Sequence, residues 1–432
     1  MINTHITPVR RKSFRAPLWA SCLLVAGLLS PVTAGAESQG QNLTLEEAVS
    51  RTLASHAELR AQGAMVAASE RRAAVSSLTP PLVVGADVEN VAGSGDLEGV
   101  QGSETTLRIS RVIELGGKRA ARIALGDMET ERRRLDLERA RIDLTAETAR
   151  RFLAVLQAQY EVDLAKRGIE RAEAVESQVK NAVAAGRKSE ADTYQAEIAL
   201  GLASLDHGDA EHELVTARLA LATLWGERQP GFGPVAGSLE LLPDTAPLAS
   251  LADGLGDTIE QRSLILEAAG MDARRRLAAT GGKPDLSLSA GVRHLEGVGD
   301  QALVFGVSMP LGTASRAALE AAAYEAELSA VGARREAAEL DVYQRLFSLY
   351  QELEHARHVV EVHDAELIPK AERALAANRK GYEQGSFSFL TLSQAQQQVA
   401  ELRAARLAAA ARYHALLIDI ERLTAISGVT TP

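Results

Sequence analysis

Two stretches of the chain carry the same pattern of mostly apolar residues, spaced alternately three and four positions apart and interrupted at the same step by one polar residue, His207 or Arg406. Adding 199 to each residue number of the first set gives the second. The two sets are Leu200, Ala203, His207, Ala210, Leu214, Ala217, Leu221 and Leu224, and Val399, Leu402, Arg406, Ala409, Tyr413, Leu416, Ile420 and Leu423. The spacing predicts two helices, each with one apolar stripe. The constant offset, which also relates Gly186 to Gly385, predicts an internal duplication rather than two unrelated coiled-coil helices.

Each of these helices is preceded by a longer helical stretch. Residues 118–183 contain no proline, and the counterpart runs from about 316 to 382 with Pro369 inside it, where we expect a bend or a break. Near the start of the chain, Thr44 and Glu47 form a capping pair, which predicts one helix from there to Leu78. Pro80 and Pro81 then end that helix.

Between the helices, short segments alternate apolar and polar residues. Four such strands are predicted, at about 82–90, 104–113, 285–293 and 302–310. Strands of about ten residues with one apolar face suit either a soluble hairpin or the wall of a transmembrane barrel. The predicted organisation is therefore a first repeat at 43–226, a Gly- and Pro-rich linker at 227–249, and a second repeat at 250–428.

Composition narrows the class of protein. The 432 residues are 46% hydrophobic but only 4% aromatic, which favours long helices in thin layers. The net charge of −10 argues against a nucleic-acid partner. Residues 1–36 read as an export signal, with a basic start, a short apolar core and the cleavage pattern ending at Ala36. Cleavage there would remove Cys22 and leave a chain without cysteine. No later apolar run is long enough for a spanning helix, so the chain would enter a membrane as strands.

Four strands cannot close a barrel, and open strand edges are untenable in lipid. The helical hairpins also have apolar stripes without a third layer to cover them. Several copies around one axis would solve both problems. The sequence itself leaves the number of copies open.

The residues that follow the second strand carry the most specific motif, Glu114-Leu115-Gly116-Gly117-Lys118-Arg119. Together with the opening Leu43-Thr44-Leu45-Glu46-Glu47-Ala48, the later Ala57-Glu58-Leu59-Arg60-Ala61 and the doubled glycine turn, it resembles the TolC-like outer-membrane efflux factors, and within them the cobalt–zinc–cadmium branch. The resemblance covers essentially the whole chain after the export signal.

The resemblance implies a mainly α fold with a small β part. Duplicated long helical hairpins and four amphipathic strands per chain would form a homotrimer, with an outer-membrane β-barrel continued by a periplasmic α-helical barrel. It also implies contact with outer-membrane lipid, a periplasmic adaptor and an inner-membrane resistance-nodulation-division pump driven by protons. No cofactor and no nucleic-acid partner are expected.

Two groups of residues are the candidate functional positions. The strand-to-helix junction has glycines for a sharp turn and two basic residues that we expect to meet acidic groups of the lumen or lipid headgroups. The two glycine turns are the expected periplasmic tips, where adaptors dock. The junction comprises Glu114, Gly116, Gly117, Lys118 and Arg119; the tips comprise Gly186, Arg187, Lys188, Asp192, Gly385, Phe387, Phe389, Thr391 and Gln394.

The two tips differ in character. The first is charged, whereas Phe387, Phe389 and Leu390 give the second an apolar surface that favours docking. Relatives carry aspartates in the second tip, but this chain has Thr391 and Gln394 there, so Asp192 becomes the nearest candidate for an acidic entrance.

No arrangement of residues indicates catalysis, and an enzyme is not expected. The three histidines at 355, 358 and 363 are assigned to a solvated helix face rather than to a metal site. The favoured function is the exit duct of a tripartite pump for heavy-metal cations. The alternatives are a duct for drugs or for type I protein secretion, a periplasmic adaptor, and a periplasmic coiled-coil scaffold.

Overall fold

A computed structural model describes residues 42–426, so the predicted export signal and the last residues of the second predicted repeat lie outside the described residues. The helices of this part are long and the strands are few. In chain order they are α1 (Leu45–Ser55), α2 (Ala57–Ser76), β1 (Val83–Glu89), β2 (Glu104–Ile113), α3 (Lys118–Ala184), α4 (Glu190–Ala222), α5 (Leu248–Asp253), α6 (Ile259–Thr280), β3 (Leu286–Leu295), β4 (Asp300–Ser308), α7 (Thr313–Val362), α8 (Ile368–Glu383) and α9 (Phe389–Thr424).

The four strands form one antiparallel sheet in the order β1-β2-β3-β4, so the two repeats meet where β2 pairs with β3. Val84 lies opposite Ile109, Ile109 opposite Ala290, and Ala290 opposite Phe305. Because side chains alternate between the two faces of a sheet, this register places the apolar positions of all four strands on one face.

The prediction of one continuous helix up to Leu78 is wrong in one respect, because the structure divides this segment into α1 and α2. His56 adopts an extended conformation between them, with φ −63° and ψ 131°. Its Nδ1 accepts a hydrogen bond from the Glu58 backbone N–H at 3.2 Å and so caps α2. Neither proline nor glycine, the usual signals of a break, stands at this position.

Pro369 interrupts the second long helical stretch, as predicted. α7 ends at Val362, a π-helical turn spans His363–Leu367, and α8 begins at Ile368. Proline has no N–H to donate to the preceding turn, and the π-helical turn lies directly before the turn that contains Pro369. By contrast, α3 runs without a break for 67 residues.

The elements lie side by side as one layer with the same order at each level. Towards the strands, α2 packs on α3, α3 on α6, and α6 on α7. Towards the glycine turns, α4 packs on α3, α3 on α9, and α9 on α8. First-repeat elements therefore form one border of the layer (β1, α2, α4) and second-repeat elements form the other (β4, α7, α8).

The predicted apolar stripes of α4 and α9 face the interior of this layer. Tyr413, Leu416 and Ile420 are buried in a cluster with residues of α7, and Leu221 is buried in a cluster with residues of α3. The segment after α4 crosses the helices and is fixed to the chain's start, since Leu43 N–H donates to the Pro234 carbonyl at 3.0 Å and Ala236 N–H to the Leu43 carbonyl at 2.8 Å.

Candidate functional site in the strand wall and helical tips

One face of the sheet is apolar and open. The side chains of Val84, Leu303 and Phe305 are 75%, 72% and 74% exposed in the single chain, and Leu107 lies among them. An apolar surface of this kind on a folded chain indicates a contact with lipid or protein.

The opposite face carries paired charges. Arg108 on β2 contacts Asp87 on β1 at 3.2 Å. Arg293 on β3 reaches Glu104 on β2 at 2.6 Å and, across that strand, Glu89 on β1 at 2.9 Å. Glu89 and Glu104 are directly opposite in the register, so Arg293 offsets the repulsion between two like charges. This face is suited to water.

At the strand-to-helix junction, two glycines adopt left-handed conformations. Gly116 and Gly117 both have φ +79°, and Gly117 is the N-cap of α3. A Cβ on Gly116 would lie 2.8 Å from the Lys283 side chain, so both backbone angle and space require glycine there.

The charged residues of the junction are engaged within the chain. Glu114 forms a two-pronged ion pair with Arg122, one contact of which is 2.9 Å. Lys118 contacts Asp285, just before β3, at 2.6 Å, and Arg119 Nε donates to the Ser77 carbonyl at 2.5 Å. Lys118 thus joins the two repeats, whereas Arg119 joins the start of α3 to the end of α2 within the first repeat and remains exposed. The expected contact of these two residues with lumen acids or lipid headgroups stays a prediction.

The first tip is a compact turn between α3 and α4. Gly186 has φ +69°, its N–H donates to Val183, and the Arg187 N–H donates to Ala182, which closes the end of α3. Asp192 accepts a hydrogen bond from the Ser189 N–H at 3.4 Å as half of a capping box. Asp192 thus caps α4, a structural role that the idea of an acidic entrance did not anticipate. Arg187 is exposed.

The second tip repeats this design. Gly385 has φ +76°, and Ser388 caps α9 by accepting from the Thr391 N–H at 3.3 Å. Thr391 therefore occupies the capping position that Asp192 holds in the first tip. Gln394 is exposed, and Phe387 is 45% exposed with its ring over Gly381.

Phe389 does not belong to the exposed tip surface. It is 3% exposed and packs edge-to-face on Tyr382, with ring centroids 6.0 Å apart. These rings join Val179, Ala196 and other apolar residues in a cluster between the two hairpins. The prediction that Phe389 is a docking residue is therefore wrong, whereas Leu390 beside it is 56% exposed.

Lys188 connects the two tips. Its ammonium group lies 3.9 Å from the centroid of the Tyr382 ring and donates to the Tyr382 carbonyl at 2.9 Å. Burial raises the pKa of the Tyr382 hydroxyl, and the nearby Asp192 carboxylate raises it further. Sequence reasoning missed Tyr382, which stands just before the glycine turn.

Among residues 42–426, no three or more His, Cys, Asp or Glu side chains of one chain are placed to hold a metal ion. His355 and His358 are exposed on α7, and His363 Nδ1 lies 2.7 Å from the Val359 carbonyl oxygen. In the same described part, none of the helices has the length and apolar character needed to cross a membrane.

Comparison with known proteins agrees with this arrangement. Residues 48–227 match the family described as outer membrane efflux protein. The cobalt-zinc-cadmium resistance protein CzcC of Cupriavidus metallidurans is 28% identical over 326 residues, which is 74% of this chain and 76% of that protein.

Two solved structures share the fold over nearly the whole chain. The structure of CusC is 14% identical, covers 90% of this chain and 95% of its own, and has a TM-score of 0.72. The outer membrane protein VceC of Vibrio cholerae is 15% identical, covers 88% and 96%, and has a TM-score of 0.71. The predicted mainly α fold, with duplicated hairpins and four strands, is confirmed. The chain is therefore similar to the outer membrane efflux protein family over residues 48–227 and to CzcC over 74% of its length, and it shares the fold of CusC and VceC.

Proposed function

We propose that three copies of the chain close into a continuous duct, the outer-membrane exit of a tripartite, proton-driven pump that exports heavy-metal cations. The observation that carries this proposal is that the helices and strands follow one another across the layer in the same repeat order at every level. From the strands to the tips, its borders are β1, α2 and α4 on one side and β4, α7 and α8 on the other, and neither border pairs with another element on its outer side among residues 42–426.

Copies placed border to border would pair β4 of one with β1 of the next. Three copies would give about twelve strands, enough for an aqueous lumen. The need for closure follows from the open strand edges, because unpaired backbone groups are costly in lipid. The number three is supported by the family resemblance.

The different character of the two faces of the sheet supports an assignment of which face meets lipid and which lines the lumen. The face with Val84, Leu303 and Phe305 would meet lipid, and the face with the Arg108 and Arg293 ion pairs would line the water-filled lumen. The junction held by Lys118 and Asp285 would then mark the passage from membrane barrel to periplasmic helices.

The helical tips would be the periplasmic entrance and the surface for the adaptor, which connects the duct to the inner-membrane pump. Phe387 and Leu390 are the exposed apolar residues of the second tip, and Arg187 is an exposed charge of the first. The proposed cargo is a heavy-metal cation because CzcC is a cobalt-zinc-cadmium resistance protein. A multidrug or protein-secretion duct is the alternative cargo assignment.

The tips give a direct test in cells that depend on this protein for metal resistance. Leu390→Asp should abolish resistance to cobalt, zinc or cadmium with normal amounts of assembled protein in the outer membrane, since it places a charge in an apolar contact. Gln384→Glu adds the same charge at the same tip without removing an apolar group, and should retain resistance. Full resistance with Leu390→Asp would show that the adaptor docks elsewhere. Sensitivity to drugs but not metals in a deletion strain would favour the alternative cargo.

A further inference from the structure

The free face of α4 carries an apolar stripe with one polar interruption. Tyr194, Ile198, Leu202, Leu205, Val215 and Leu219 are between 41% and 67% exposed and recur every three or four residues. The stripe positions between Leu205 and Val215 are Asp209 and His212, which are also exposed. On a helix, residues three apart are neighbours, so these two side chains lie next to each other.

The free face of α7, on the opposite border of the layer, has the same character. Leu340, Tyr343 and Phe347 are 73%, 46% and 45% exposed. Beyond Phe347 the same face is polar and exposed, with Gln351 and Glu354 before His358, and His355 lies three residues before His358. Both histidines are exposed in the single chain.

The contacts of α3 relate the heights of α4 and α9, from which the level of the polar segment of α4 can be compared with that of α7. Arg150 contacts Asp419 on α9 at 2.6 Å, and the adjacent Arg151 donates to the Ala220 carbonyl on α4 at 2.7 Å. Helices α4 and α9 both begin at a tip and run in the same direction, towards the strands. Residues that precede Asp419 and Ala220 by the same number of positions therefore lie at the same height along the two helices. Tyr413 on α9 is thus level with Leu214 on α4.

Tyr413 also sets the level of α7, because its hydroxyl accepts a hydrogen bond from Arg357 Nη2 at 2.6 Å. Arg412 on α9 also pairs with Glu352 on α7. Because α7 and α9 run in opposite directions, the two contacts place His358 level with residues 406–412 of α9, and hence with residues 207–213 of α4, a segment that contains both Asp209 and His212. When copies join border to border, His212 of one and His358 of the next face each other.

We propose that each junction between two copies forms a binding site for a divalent transition-metal ion, with His212 and Asp209 from one copy and His355 and His358 from the next. The proposal rests on the proposed closure of the duct by copies of this chain. Three imidazoles and one carboxylate are a donor set for ions such as Zn²⁺ and Co²⁺ in four-coordinate geometry. Each chain holds half of the set, in keeping with the lack of such a group of three within one chain's described residues.

The site also resolves a problem of packing. Polar side chains at the centre of an apolar seam are costly when the seam is covered unless they find partners. A bound cation would engage all four side chains and connect the two stripes at the level where the apolar contacts are interrupted. The bound ion would therefore stabilise the junction between copies.

The geometry is tested by cross-linking the full chain in outer membranes. The only cysteine of the chain is Cys22, in the predicted export signal. The double variant His212→Cys, His358→Cys should form covalent multimers with a short bismaleimide, whereas either single variant should not. The matched pair Glu213→Cys, His358→Cys places the first thiol about 100° around α4 and should react much less. Assembled protein without cross-links in the His212 pair would overturn the inference while leaving the duct intact. Protein that is monomeric would instead contradict the proposed function.

Metal binding is tested on the purified assembly in detergent after removal of metals with a chelator. Titration with CoCl₂ should give one ion per chain and the strong visible absorption of four-coordinate Co²⁺. His212→Ala and His358→Ala should each abolish that absorption and weaken binding by tenfold or more. His56→Ser keeps a capping residue for α2 and should bind normally. Equal cobalt binding by the wild type and both alanine variants, or no binding by any of them, would overturn the proposed metal site.

Discussion

Lys188 and Tyr382 hold the two helical tips of the chain together. The Lys188 ammonium lies 3.9 Å from the centroid of the Tyr382 ring and 2.9 Å from its carbonyl oxygen. The two residues belong to different repeats, so this contact fixes the relative position of the first and second hairpins at the proposed entrance.

Replacing Lys188 by methionine should loosen the tips without unfolding the chain. The lost cation–π contact and hydrogen bond are worth about 1–2 kcal/mol together. Hydrogen exchange should become faster in residues 380–392, while the strands keep their protection. Arg187→Met removes an exposed charge one residue away and serves as the control. Unchanged exchange at the second tip in the Lys188 variant would mean that the apolar cluster alone holds the hairpins.

The two faces of the sheet should respond differently to arginine. Leu288→Arg and Phe305→Arg fall on the apolar face, where a charge at mid-membrane costs about 2–4 kcal/mol, so insertion into the outer membrane should fail. Ser289→Arg falls on the ion-paired face and should assemble. The readout is the amount of assembled protein in outer-membrane fractions. Equal defects in all three variants would show that the assignment of lipid and lumen faces is wrong.

Arg406 should contribute more to stability than its neighbours on α9. It interrupts an apolar stripe, yet its guanidinium contacts Asp364 in the π-helical turn at 3.0 Å and the Leu239 carbonyl at 3.2 Å. Arg406→Met should lower the free energy of unfolding by about 1.5–3 kcal/mol, as expected for hydrogen bonds to a charged group. Arg403→Met, which removes an exposed pair with Glu372, should cost under about 1 kcal/mol. Denaturant midpoints measured on the two variants distinguish these outcomes.

His414 should make the chain sensitive to mild acid. Burial lowers its pKa below the ordinary value of 6.5, and a hydrogen bond with the Leu241 backbone opposes this only in part. Above that value, the histidine is neutral in folded and unfolded chains, and it contributes no pH dependence. As the pH falls below 6.5, the unfolded chain takes up the proton first, so stability decreases until the pH passes the folded pKa.

The variant His414→Leu should lose that part of the acid sensitivity. Melting temperatures measured from pH 7.5 to pH 5 should fall less steeply in the variant than in the wild type. Parallel curves for the wild type and His414→Leu would contradict the assigned role of burial.

The sequence predicted most of the fold because the residues that determine it repeat at helix and strand periods. The stripes around Tyr413 and Leu221 are buried as their spacing indicates, and Pro369 marks a real break. The division at His56 was missed because its cap uses an imidazole nitrogen rather than the usual hydroxyl or carboxylate.

The candidate site was less predictable, since its side chains are positioned by contacts distant in sequence. Lys118 pairs with Asp285 and Lys188 with Tyr382, in both cases across the two repeats. Phe389 and Leu390 are adjacent apolar residues, and only the packing of the second hairpin on the first shows that one is buried and the other exposed. Asp192 has the acidic side chain expected at a channel entrance, but its hydrogen bond is that of a residue in a helix cap.

Three copies of this chain are proposed to close border to border into one duct. Native mass spectrometry of the full-length protein, extracted from outer membranes in mild detergent and released from its micelle, measures this directly. We expect a single assembly with three times the mass of the processed chain. A stable monomer or a two-copy assembly as the only species in that extract would contradict it.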